Sequence, residues 1–341
     1  MFRSEGRRKR GFGPLAIFRL LLSLMMFAVL GLGVYQAFRY FSGGTIAGPD
    51  LLETDPRAAL ISLITSEDSA KVLFGLLGFD LKGVTNSSTL GINTSPAAKN
   101  STSEGNLTLK FAVVADTHND NVNLAKALQQ VKSGGAKFVV GLGDYSASGT
   151  LLELKEAKKV FEATGIPYYL TAGDHDLWEA REKGLAPESN FTKTFGTPYQ
   201  SFIDSNIRFV LLFNSDNYLG IEDLQMSWLE EVLSEDKGLI TFVFLHEPLS
   251  HPTADRVMGK TTPKLLPQAQ KLISILAETG VSEVFAGDIH AYSRYSEEKT
   301  GLKMTTVGAV TQERNVQLPR FLLVDVFEDG SYNIEDMEIK E

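Results

Sequence analysis

Apolar and polar positions change rhythm along this chain. The first apolar run, "LLLSLMMFAVLGLGVYQAF" (Leu20–Phe38), holds 19 uncharged residues between Arg19 and Arg39. As a helix it would extend roughly 28 Å, close to the hydrocarbon thickness of a bilayer. Between residues 55 and 83, Leu60, Ile61, Leu63 and Ile64, then Val72, Leu73, Leu76 and Leu77, recur at helical spacing. That spacing predicts one or two short amphipathic helices. Residues 85–106 are rich in Ser, Thr and Asn. Such a stretch buries too little apolar surface to fold alone and reads as a flexible linker.

From Lys110 onward, short apolar runs alternate with helical stretches. The runs are "KFAVVADTHND", "KFVVGLGDYS", "YYLTAGDHD", "ITFVFLHEP" and "VFAGDIH". Helical periodicity covers "NVNLAKALQQVKSG", "TLLELKEAKKVFEATG", "IEDLQMSWLEEVLSED" and "PKLLPQAQKLISILAETG". Apolar strands alternating with helices argue for an α/β fold with a sheet covered on both faces. Ligands in such folds gather at the carboxyl ends of the strands. All five runs end in Asp or His: Asp116 and His118, Asp144, Asp174 with His175 and Asp176, His246, and Asp288 with His290. A single Asp there is ordinary turn or cap chemistry. The chain has five histidines, however, and four stand at these endings. That concentration points to a shared ligand site.

Composition narrows the chemistry. Hydrophobic content of 43% and charged content of 22% suit a normal core. Absence of cysteine excludes disulfides, thiolate metal sites and thiol nucleophiles. Net charge is -9, yet residues 1–40 carry +6, which leaves -15 on the rest. A body this acidic is a poor partner for nucleic acid. The basic cluster before the apolar run predicts a cytoplasmic N-terminus and an outward-facing body. A cleaved signal peptide is the rival, although its apolar core is usually shorter, roughly 7–15 residues. The expected organisation is a basic segment 1–19, a transmembrane helix 20–38, a tether 39–109 and a folded domain 110–341.

In Asp116–Thr117–His118 the two ligand types share one side of an extended strand end. Asp and His without thiolate suit Mn, Fe, Zn or Mg. The order "DTH", "GD", "GDHD", "H", "GDIH" resembles the calcineurin-like metallophosphoesterase superfamily over Lys110 to the end. The resemblance implies a four-layer α/β/β/α sandwich, with the closing hairpin "RFLLVDVFEDGSYNIEDMEI" in its second sheet. It also implies two divalent ions and hydrolysis of a phosphomonoester or phosphodiester by a water bridging them. Carried over by position, Asp116, His118 and His290 resemble ligands of the first ion, and Asp144 the bridging carboxylate. Asp174, His246 and Asp288 stand at the second ion, and His175 resembles the histidine that contacts phosphate and assists the leaving group.

Two positions depart from the family pattern. Asp174 replaces the usual Asn, and Asp288 the usual His. Four carboxylates balance two divalent ions, where two would leave a surplus of positive charge. The site then attracts an anionic phosphate less strongly and favours harder ions, Mn above all, over Zn. An acid that orients the phosphate-contacting His in many relatives is here Ala147, so Asp176 is the candidate substitute. Arg314, in "GAVTQERN", is a candidate phosphate-binding residue. His251 could approach the site from a loop, although a solvated position is the plainer expectation. Trp228 lies on a helical apolar stripe and is expected in the core. The functional expectation is a membrane-anchored, metal-dependent phosphoesterase. The alternatives are a metal-poor binding or scaffold module and a nuclease, which the acidic body disfavours.

Overall fold

The computed structural model describes residues 105–236 and 238–340. The basic segment, the apolar run 20–38 and nearly all of the tether lie outside the described residues. Among the described residues no helix is long and apolar enough to cross a membrane.

Strand β1 (Leu107–Val114) leads into helix α1 (Asn121–Ser133), capped by Asp120, which accepts from the Asn123 amide. β2 (Val139–Gly141) leads into α2 (Leu151–Thr164). A reciprocal Thr150–Glu153 capping box starts α2, and Gly165 in the left-handed conformation stops it. β3 (Tyr168–Leu170) is followed by a 3-10 turn (His175–Leu177), α3 (Trp178–Glu182) and α4 (Ser189–Phe195). Then come β4 (Gln200–Asp204), β5 (Ile207–Leu211), α5 (Asp223–Ser234), β6 (Ile240–Leu245), α6 (Leu266–Glu278) and β7 (Glu283–Ala286). β8 (Ser293–Ser296), β9 (Lys303–Thr306), β10 (Arg320–Phe327) and β11 (Tyr332–Glu338) complete the fold. Helices α1, α2, α5 and α6 are the four that the periodicity predicts.

The strands form two sheets. One has the order β11-β10-β1-β2-β3 and the other β4-β5-β6-β7-β9-β8. β1, β2 and β3 run parallel, as do β5, β6, β7 and β9. Side-chain alternation explains the pairing of layers. On β1, Ala112 and Val114 pack in one core with Leu124 and Leu128 of α1 and Leu154 and Phe161 of α2. Phe111 and Val113 point the other way, into a phenylalanine-rich core with Phe209, Phe242, Phe244 and Phe285 of the second sheet. Val243 and Leu245 of β6 pack with Leu229 of α5 and Leu272 of α6. Each sheet therefore has helices on one face and the other sheet on its second face.

The layers are those of the expected four-layer α/β/β/α sandwich: the five strands divide between two sheets, each covered on both faces. The closing hairpin is placed differently: β10 pairs with β1 and so extends the sheet that carries Asp116. Tyr332 of β11 still reaches the second sheet, where its hydroxyl donates to Glu283 at 2.7 Å. Glu283 is fully buried and also accepts from Arg294 Nη2 at 2.8 Å and Thr305 Oγ1 at 2.7 Å. Those donors satisfy a carboxylate that would be costly to bury alone. Trp228 packs against the outer core of α5 and α6, as expected.

Candidate metal centre

The ends of the parallel strands of both sheets converge on one rim, and backbone hydrogen bonds lock the endings together. The Asp116 amide donates to Gly143 O, and those of Thr117 and His118 to Asp144 O. Gly287 N donates to His246 O, and Thr311 N to Asp116 O. Glycines allow this approach. A Cβ on Gly173 would run into the Asp144 carboxylate, and one on Gly143 into the Gly173 backbone.

The backbone at this rim is unusual. Asp116, His118, Asp144, Asp288 and His290 all adopt positive φ, between 42° and 63°. Asp and His are among the non-glycine residues that tolerate this conformation best. Backbone strain of this kind costs about 1–3 kcal/mol per residue and persists only where the surroundings over-determine it. Here it turns each side chain inward instead of letting it alternate as on a strand.

The inward-turned atoms form linked groups. Asp116, His118 and His290 offer ligand atoms within 4.8 Å of one another, and so do Asp174, His246 and Asp288. Asp144 falls between, grouped with His118 and His175 and again with Asp116 and His246. His118 Nε2 lies 3.1 Å from His290 Nε2 and 3.4 Å from Asp144 Oδ2. His246 Nε2 lies 3.6 Å from Asp144 Oδ1 and 3.4 Å from Asp174 Oδ1. His246 Nδ1 donates to Leu142 O at 2.8 Å, which turns Nε2 toward the cluster. All seven residues that the sequence nominates as ligands are thus brought together.

Their electrostatics call for added positive charge. Burial pushes the Asp144 carboxyl well up and raises that of Asp288. Burial, against the pull of Asp116, lowers the His118 imidazole to about 3. Burial opposes charge on His246 as well, but Asp144 and Asp174 outweigh it and raise its pKa well above the usual value. Burial and the nearby Asp288 push Glu247 up to about 8. Asp116 Oδ2, Asp144 Oδ2, Asp174 Oδ1 and His246 Nε2 are buried without a hydrogen-bond partner. Orphaned polar atoms of this kind are rare in folded proteins and demand an explanation. Divalent cations coordinated by these oxygens and ring nitrogens would satisfy all of them, so the residues fit a metal centre.

His175 stands at the edge of the cluster. Its amide donates to Asp144 Oδ1 at 3.0 Å, and its Nδ1 donates to Ala147 O at 2.9 Å. Trp178 stacks on its face, with ring centroids 3.8 Å apart. Asp176 does not orient it, contrary to expectation. Asp176 instead accepts from Ser146 N and Oγ and from Gly173 N, tying together the loops after β2 and β3. The Ala147 carbonyl takes the orienting place, which the Ala147 side chain gave no reason to expect.

Arg314 is not brought into the cluster. Its loop runs beside β1, but its side chain is 62% exposed and its nearest ionic partner is Glu313 at 4.0 Å. His251 is also outside: it accepts from the Ala254 amide at 2.8 Å and contacts Ser293 Oγ at 2.9 Å. The sequence reading missed Arg256, whose Nη2 lies 3.1 Å from Asp288 Oδ1, and Asn217, which donates to Asp174 Oδ2 at 3.2 Å. Both lie in loops without periodicity. Glu247 was visible only as the neighbour of His246.

Comparison with known proteins gives a consistent result. The model of the calcineurin-like phosphoesterase family matches residues 109–292, more than half of the chain. No curated protein sequence matches significantly. Among solved structures, the purple acid phosphatase PPD1 from yellow lupin seeds is similar, with a TM-score of 0.53 and 14% identity. That match covers 67% of this chain and 51% of the lupin protein, so this chain spans about half of that protein's length. GAP50, the anchor in the inner membrane complex of Plasmodium, matches at a TM-score of 0.47 and 15% identity, over 69% of this chain and 90% of that one. A novel archaeal phosphodiesterase matches at a TM-score of 0.38 and 14% identity, over 67% and 100%. At such identities the lupin likeness speaks for the fold alone, while the family match spans all five strand endings. The chain belongs to the calcineurin-like phosphoesterase family.

Proposed function

We propose that this chain is a metal-dependent phosphoesterase that hydrolyses a phosphomonoester or phosphodiester at a two-metal site. The observation that carries this reading is the placement of Asp144 between two groups of ligand atoms, Asp116–His118–His290 and Asp174–His246–Asp288. Two divalent ions bound there, with Mn the favoured pair, would polarise a phosphoryl group and activate the attacking water.

The chain's own residues do the remaining work. Because the Ala147 carbonyl can only accept, the Nδ1 of His175 carries a proton. In the imidazolium form Nε2 carries a second proton, which it can donate to a phosphate oxygen or pass to the leaving oxygen, leaving the neutral ring with its proton on Nδ1. Trp178 and the Asp144 bond to the His175 amide restrict the ring to that task. Asn217 holds Asp174 from the side, which fixes the carboxylate that replaces the family's usual amide.

The test uses the full chain with a chromogenic phosphomonoester and its diester analogue. Expected is turnover with Mn²⁺ that EDTA abolishes and added Mn²⁺ restores, with the faster ester naming the class. A folded chain inert toward both esters with Mn²⁺, Zn²⁺ or Mg²⁺ would speak instead for a metal-poor binding module. The Asp288–Arg256 ion pair is the one feature that favours that rival, since it occupies a ligand of the second group.

A further inference from the structure

We infer that Arg256 is a substrate-binding residue that contacts the phosphoryl group on the second-metal side, and that Asp288 holds it there. The inference rests on the phosphoesterase reading above and names a recognition element within the same site.

Charge gives the first argument. Asp116, Asp144, Asp174 and Asp288 together offset two divalent ions, so the loaded centre keeps no surplus positive charge for an anionic substrate. A cation close to the centre would restore one. Among the described residues, Arg256 is the sole Lys or Arg in an ion pair with one of these four carboxylates.

Geometry gives the second. Nη2 of Arg256 lies 3.1 Å from Asp288 Oδ1, while the side chain is 49% exposed. A guanidinium has five N–H donors in a rigid fork. The Asp288 contact engages Nη2, and among the described residues no other side chain forms an ion pair with this guanidinium. A phosphate oxygen pair matches such a fork in a way that a point charge does not.

The loop that carries Arg256 is fixed. Val257 and Met258 are buried, and the Met258 amide donates to Pro248 O at 2.8 Å. His251 Nδ1 accepts from the amides of Thr253 at 3.2 Å and Ala254 at 2.8 Å. A ring nitrogen that accepts leaves the other as donor, so Nε2 donates to Ser293 Oγ at 2.9 Å. His251 thus anchors the loop from outside the cluster. The Arg256 side chain itself is held by the Asp288 ion pair alone and is half exposed.

Arg256→Met and Arg256→Lys, made in the full chain, test the assignment with two readouts besides turnover. Bound metal is measured by elemental analysis after Mn²⁺ loading, and affinity for inorganic phosphate by titration calorimetry. Arg256→Met is expected to keep the wild-type metal content and to bind phosphate ~10- to 100-fold more weakly. KM for the preferred ester should rise in step. Arg256→Lys should recover part of the affinity, since it restores the charge without the fork. Equal phosphate affinity in wild type and Arg256→Met would overturn the assignment and leave Arg256 as a counter-ion only. Loss of metal in Arg256→Met would also overturn it, because the residue would then serve the metal and not the substrate. A wild-type chain that holds metal yet neither binds phosphate nor turns over either ester would overturn the phosphoesterase reading itself, and this inference with it.

Discussion

Asp144→Asn is expected to reduce metal-dependent phosphoester hydrolysis by roughly 10²–10³-fold or more, the scale of losing one preorganised electrostatic group from a transition-state site. Asp144 is fully buried, and its two oxygens face different partners: Oδ1 toward His246, and Oδ2 toward His118. No other cluster residue stands between both ligand groups together with His175. Asn keeps the size and leaves one acceptor oxygen, but it loses the negative charge that would be shared by two cations. Fold should survive, because the Thr117 and His118 amides bond to the backbone carbonyl of residue 144, not to its side chain. Steady-state kinetics beside a circular dichroism spectrum separates the two effects. Turnover within tenfold of wild type, from a folded variant, would remove Asp144 from the centre of the account.

Phe111→Ala is expected to have the largest effect on stability. Phe111 is fully buried on β1, three residues before the end of the strand that leads to the first ligands. Its ring meets Phe138, the residue before β2, at 5.7 Å. Across the interface it meets Phe209 at 5.2 Å, Phe242 at 5.6 Å, Phe244 at 6.0 Å and Phe285 at 6.4 Å. Truncation removes the ring and leaves a cavity that five rigid aromatics cannot easily fill. A loss of about 3–5 kcal/mol follows from comparable core substitutions. For a domain of this size that corresponds to a fall in Tm of roughly 6–20 °C. Thermal denaturation of the full chain, followed by the unfolding of this domain, measures it. A Tm within 2 °C or so of wild type would mean that the two sheets do not depend on this contact.

Much of the site was legible in the sequence because ligand chemistry is local. Asp116 with His118 and Asp288 with His290 each stand beside an apolar run, and strand ends can be read from such runs. All seven nominated ligands meet at one rim for that reason. The division into two sheets was less legible from periodicity. β1 is apolar on both faces, whether its second neighbour is a helix or another sheet, so Phe111 and Ala112 look alike in the pattern. The resemblance to a known family supplied what the pattern lacked, but the closing hairpin assigned to its second sheet extends the sheet of β1 instead. Backbone conformation was not legible at all. Positive φ at Asp116 or Asp288 depends on neighbouring strands that donate and accept across the rim. That Arg256 and not Arg314 meets a carboxylate of the cluster has the same origin. Both lie in irregular loops, and which loop folds over the cluster depends on tertiary anchors such as the buried Met258 and the His251 bonds.

Metal location tests the central claim most directly. Crystals of the full chain soaked in Mn²⁺, with diffraction recorded at a wavelength where manganese scatters anomalously, would place the ions without reference to activity. The account predicts two anomalous peaks per chain, one among Asp116, His118 and His290 and one among Asp174, His246 and Asp288, with Asp144 between them. A fully loaded crystal with no peak beside these residues would contradict it.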